Sequence, residues 1–88
     1  MANADIAQRL LDELTAFESG QRTIQELQNA ILAHGNALEA MPRNWHSRLL
    51  SWEGDLELAL FTQTPAGQAE VARHVISELR ISLMATTL

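Results

Sequence analysis

Apolar positions recur along this chain at helical spacing, and the gaps between the runs hold residues that start and stop helices. From Asn3 to Ser19, Ile6, Leu10, Leu14 and Phe17 follow at intervals of four, four and three, which puts them on one face of a helix. Gly20 comes where a helix C-terminus favours a left-handed residue. In Thr23-Ile24-Gln25-Glu26 the Thr23 hydroxyl is placed to accept from the Glu26 amide while the Glu26 carboxylate reaches back to the Thr23 amide, a reciprocal pair that opens a helix. The second stripe, Ile24, Leu27, Ile31, Leu38 and Met41, runs up to Pro42, which disfavours helical geometry at Met41 and so ends the helix. Gly35 falls where a bulky residue would be expected. Either a neighbouring helix comes close there or the helix breaks.

Asn44 suits the N-cap of a third helix. Trp45, Leu49, Trp52, Leu56 and Ala59 form its stripe, and Leu50, Leu58 and Phe61 widen it. Gly54 lies in the middle, yet Trp52 and Leu56 stay four apart across it, whereas a turn at Gly54 would put them on different elements. The cost of glycine inside a helix, about 1 kcal/mol, is one that a well-populated stripe can offset. Thr64-Pro65 opens a fourth helix, because proline at the first position gives up an amide that has no partner there. Its stripe is Val71 or Ala72, Val75, Ile76, Leu79 and Leu83, and Met84 to Leu88 reads as a frayed tail. Short connections make consecutive helices antiparallel. The expectation is an all-α chain, an antiparallel up-down four-helix bundle forming one domain over residues 1–88.

Composition narrows the function classes. The absence of cysteine excludes disulfides, thiolate metal sites and cysteine nucleophiles. A net charge of -5 works against direct binding of nucleic acid, whose affinity comes largely from neutralising phosphates with Lys and Arg, and favours a basic protein partner. No apolar run approaches the roughly 20 residues of a membrane span. The start, MANADIAQRLLDEL, is acidic and amphipathic, without the basic and apolar regions of a signal peptide, so residence in the cytoplasm is expected.

The polar residues with the clearest pattern are Glu53, Asp55 and Glu57. Glu53 and Glu57 share a face of the third helix, while Asp55 points about 160° away from each of them. Glu53 and Glu57, with Glu39 or acids of the first helix such as Asp12, read either as a solvated surface or as a face that meets a basic partner. Of the adjacent Asp12 and Glu13, one flanks the core stripe and the other faces solvent. Trp45, at a helix start beside Arg43 and His46, is the tryptophan expected to be partly exposed and available to a partner. Glu70, His74 and Glu78 are spaced four apart, but di-iron bundles use Glu-x-x-His, so this is read as a surface ion pair and not a metal site. With no phosphate loop, nucleophile elbow or base beside Ser47, Ser51 or Ser77, the expectation is no enzyme and no cofactor.

Two segments resemble a known family. FESGQRTIQELQNAI, Phe17 to Ile31, is similar to the Phe-x-x-Gly, polar turn, capping residue and helix found early in small helical bacterial immunity proteins, of the colicin D immunity and contact-dependent inhibition types. LLSWEGDLELALF followed by VARHVISELRISL resembles their acid-rich third helix and closing fourth helix. The resemblance implies a small acidic cytoplasmic inhibitor that covers the basic substrate groove of a toxin nuclease, with Glu53 and Glu57 standing in for substrate phosphates. The colicin D immunity pattern carries an acidic segment between helices three and four. Here Thr62 to Gln68 has no acid, which places any inhibitory face on the helices. Trp52-Glu53-Gly54 also resembles the W-x-G motif of secreted helical hairpins, an alternative that requires a turn at Gly54. A third alternative is a structural interaction module, a homodimer paired through the wide apolar stripe of the third helix.

Overall fold

A computed structural model of the protein describes residues 2–86 and contains four helices: α1 (Asn3–Glu18), α2 (Ile24–Ala37), α3 (Trp45–Thr62) and α4 (Pro65–Ala85). Their boundaries follow from local chemistry. At the end of α1, Gly20 takes φ +80°, its amide donates to Phe17 O and the Gln21 amide donates to Ala16 O, a left-handed closure that glycine adopts without strain. Thr23 opens α2 with both bonds of the expected capping box, 3.1 Å from the Glu26 amide and 2.9 Å from the Glu26 carboxylate. Thr64 opens α4 by accepting from the Gly67 amide, with Pro65 in the first turn.

Two boundaries differ from the expected ones, and one expected cap forms without its side-chain bond. The second helix stops at Ala37, short of Pro42, because the chain is held extended at Leu38 and bends at Ala40, where φ is +53°. Asn3 of α1 stabilises that early exit: its side-chain amide donates to Glu39 O and its carbonyl accepts from the Glu39 amide at 2.9 Å. Asn44 sits at the N-cap of α3, but its side chain makes no capping bond. The fourth helix runs through Met84 and Ala85, its last turn anchored by buried Leu83. Thr87 and Leu88 of the expected tail lie outside the described residues.

The four stripes meet in one core built from all four helices, with Leu10, Leu14, Leu27, Ile31, Leu49, Leu56 and Leu79 wholly buried. Consecutive helices pack against each other: the N-terminal half of α2 lies beside the C-terminal half of α3 through Gln28, Glu53 and Glu57, as antiparallel neighbours require. The α1–α4 contact is sparser, and Arg80 of α4 reaches across to Thr15 and Glu18 in the last turn of α1. The radius of gyration, 12.4 Å, is close to the value of about 12 Å for a single folded unit of this length.

Both interior glycines of the helical stripes now have an explanation, and the explanations differ. At Gly35 a neighbouring helix does come close: a Cβ there would lie 2.5 Å and 2.9 Å from the two methyls of Leu49 and 3.3 Å from its Cγ. Leu49 is wholly buried, and because both methyls and Cγ crowd the position, turning the side chain alone does not relieve it. Gly54 lies inside α3 with open space around it, so the chain is not a hairpin turning at Trp52-Glu53-Gly54. Gly35→Ala is expected to destabilise by about 1–3 kcal/mol of overpacking, reduced by under about 1 kcal/mol of helix propensity. Gly54→Ala should instead stabilise by about 0.4–1 kcal/mol. Urea midpoints of the two variants checks both signs together.

Candidate docking face on the third helix

The core side of α3 carries Trp45, Leu49, Trp52, Leu56 and Ala59, all buried. At 3.6 residues per turn the direction opposite that stripe falls on Gly54, and Leu50, Leu58 and Phe61 lie within about 40° of it. They do not widen the buried stripe. They are 53 %, 62 % and 79 % exposed, because α2 and α4 cover only the side of α3 that Trp52 and Leu56 occupy. The outermost line of α3 therefore carries exposed apolar side chains beside Ser47, and its acids lie on the flanks.

On the flank toward α2, the side-chain amide of buried Gln28 donates to Glu53 Oε1 at 3.2 Å and to Glu57 Oε2 at 2.8 Å. Two carboxylates four residues apart on a helix repel. One shared NH2 group offsets part of that repulsion and holds the pair pointing along the same cleft, about 290 Å³ in volume, which Gln25, Asn29 and Leu32 complete. Gln28 was not expected to matter. The signal was present, since Gln28 falls four after Ile24 and three before Ile31, on the apolar stripe of α2, and a buried amide there needs partners.

On the opposite flank, exposed Asp55 lines a groove of about 390 Å³ between α3 and α4, together with Leu58, Val71, Glu70 and His74. Of the other residues expected to join the acid pair, none does. Glu39 lies beyond the far end of α2, roughly 13 Å or more along the axis from Gln28 at 1.5 Å per residue, with its backbone tied to Asn3. Asp12 is exposed on α1 and accepts from Gln8 at 2.9 Å, while its neighbour Glu13 turns inward to Arg22 at 2.9 Å. Trp45, expected to be partly exposed, is 6 % exposed. Its indole N–H donates to Gly35 O at 3.0 Å, and its ring meets Trp52 edge-on at 5.7 Å, so both its polar and apolar parts are satisfied inside the core.

The polar groups of α4 pair locally. His74 lies 2.5 Å from Glu78, while Glu70 is near Arg73 at 3.9 Å, so the three residues do not converge. Among the described residues no three His, Asp or Glu side chains are grouped as a metal site. A two-pronged ion pair joins Arg80 to Glu18, 2.8 Å and 2.5 Å. Glu18 sits at the C-terminus of α1, where the helix dipole disfavours a carboxylate, and the Arg80 fork compensates. Those hydrogen bonds hold the Glu18 carboxyl below its ordinary 4.5, and the Thr23 backbone and hydroxyl do the same for Glu26. A depressed carboxylate contributes stability above its unfolded pKa and loses it as pH falls through the folded one. Glu18→Gln is therefore expected to be less stable than the parent at pH 7, with the difference closing below about pH 4.5; urea titrations of both chains across that range check it.

No family model, curated protein or solved structure matches this chain. Among the described residues no helix is long and apolar enough to cross a membrane.

Proposed function

We propose that this protein is a stoichiometric inhibitor of the bacterial immunity type, acting in the cytoplasm, which docks α3 on the basic active-site surface of a toxin nuclease. The observation that carries this reading is the outward face of α3, an exposed apolar line of Leu50, Leu58 and Phe61 bordered by Glu53 and Glu57 on one side and Asp55 on the other. Acids on the flanks steer a basic partner into register and speed encounter, while an apolar centre that excludes water slows release. In such a groove the Gln28-bridged carboxylate pair would stand in for substrate phosphates.

The same face supports a second reading, a homodimer paired through α3, and charge weighs against it. In an antiparallel two-fold pair the Glu53 and Glu57 flank of one copy meets the same flank of the other. In a parallel pair it meets the Asp55 flank. Acid faces acid either way, and the arginine of α3, Arg48, is held over the Trp52 ring at 4.8 Å. Like charges across an interface are costly, whereas a partner with an Arg or Lys rim meets no such opposition.

A pull-down from the source cell with this protein as bait, at low and at high salt, tests the proposal. Capture of a basic nuclease domain that is lost as salt rises is the expected result. Recovery of the protein alone, independent of salt, would leave a self-associating bundle in place of an inhibitor.

A further inference from the structure

Gly54 is a glycine whose presence the fold does not require. Gly20 has a positive φ and a Cβ at Gly35 would strike buried Leu49, whereas one at Gly67 would meet only the exposed Gln63 side chain. A Cβ at Gly54 would meet nothing within 4 Å, its φ is not positive, and glycine in mid-helix weakens α3 for no return inside the bundle. It also occupies the outermost point of the helix, ringed by the exposed Leu50, Leu58 and Phe61.

Resting on the inhibitor reading above, we infer that Gly54 is the seat for a helix of the basic partner. Residues at i, i+3, i+4 and i+7 form the hole that receives a side chain from a facing helix. Gly54, Glu57, Leu58 and Phe61 are one such set, open at its glycine corner and apolar on two others. The neighbouring set, Leu50, Glu53, Gly54 and Glu57, is walled on the α2 side by the two carboxylates that Gln28 holds together. A helix that places an apolar residue in the first hole brings an adjacent Arg or Lys over the second, and the missing Cβ lets the two helices approach closely. The occupant is thus an amphipathic partner helix with an apolar stripe and a basic flank. A lipid surface fits poorly, because helices that lie on membranes flank their apolar face with Lys and Arg, the opposite of this arrangement. A second copy brings acid against acid.

The test uses the full chain and two synthetic amphipathic helices with the same leucine stripe, one flanked by arginine and the other by glutamate. Titration followed by backbone amide shifts is expected to show the arginine-flanked helix binding at least about tenfold tighter, the equivalent of one good interface contact, with the largest shifts from Leu50 to Phe61. Gly54→Gln, which fills the hole with a residue that favours helix, should weaken that binding by about tenfold and raise the melting temperature. Equal binding of the two helices, no binding of either, unchanged affinity in Gly54→Gln, or shifts centred on another helix would each overturn the inference. So would sedimentation of the free chain as a dimer that Gly54→Gln dissociates. If salt-sensitive capture of a basic nuclease persists while the arginine-flanked helix ignores Gly54, the inhibitor reading stands and only the seat falls.

Discussion

Replacing Trp52 with alanine is expected to be among the most destabilising single substitutions in this chain. Trp52 is 3 % exposed and lies at the centre of the α3 core stripe, its ring meeting Trp45 at 5.7 Å with the planes 74° apart. Arg48 covers it, with the guanidinium carbon 4.8 Å from the ring centroid. Truncating a buried aromatic to alanine costs about 3–5 kcal/mol, which includes the void left behind. The edge-on aromatic pair adds about 0.5–1.5 kcal/mol that Trp45 alone cannot recover. At about 0.05–0.15 kcal/mol per residue, a domain of this length has roughly 4–13 kcal/mol in total, so the substitution removes from about a quarter of it to, at the low end of that range, all of it. Thermal melts followed by far-UV circular dichroism should place Trp52→Ala at least about 15 °C below the parent, while Trp52→Phe keeps the fold with a smaller loss. A variant Trp52→Ala that melts cooperatively within a few degrees of the parent would mean that Trp52 is not the core residue described here.

The parts of this fold that could be read from the chain are those decided by neighbours in sequence. The Gly20 closure, the Thr23 capping box and the Thr64-Pro65 start each depend on groups within three or four residues, and each forms as expected. The end of α2 does not. It is settled by Asn3, which lies 36 residues away and reaches across to Glu39, and a proline rule applied at Met41 has no access to that contact. The ion pair of Arg80 with Glu18, across 62 residues, was hidden for the same reason.

The docking face failed differently, since its signal was local and was misapplied. Leu50, Leu58 and Phe61 are apolar and in phase with one another, but their phase is nearly opposite to that of Trp52 and Leu56. Glu53 and Glu57 were placed correctly on one face and Asp55 on another, whereas the residue that binds the pair together, Gln28, comes from a different helix. Trp45 illustrates the limit from the other side. Its position at a helix start favours exposure, and only the carbonyl of Gly35, ten residues earlier, supplies the buried partner that its indole N–H needs.

Reversing the charge of both Glu53 and Glu57 to lysine is expected to lower affinity for a basic partner by about 10- to 100-fold while leaving the bundle folded. The two effects separate because the carboxylates do little for the fold. Glu57 is exposed and Glu53 half-buried, their mutual repulsion on the helix is unfavourable, and the Gln28 side chain that loses two acceptors still has a carbonyl oxygen that accepts from either lysine. The net change in stability should stay within about 1 kcal/mol. Binding responds more strongly, since each reversal both removes an attraction and creates a repulsion at the edge of the apolar line. Charges at an interface rim act chiefly on the association rate, so the loss should appear in the on-rate and shrink as salt rises. Surface plasmon resonance against the captured partner at two ionic strengths, beside urea titrations of the variant, measures both. An on-rate unchanged at low salt would remove the acid pair from the interface. Loss of affinity confined to the off-rate and insensitive to salt would place these residues in a desolvated centre of the contact, and the apolar line of Leu50, Leu58 and Phe61 at its edge.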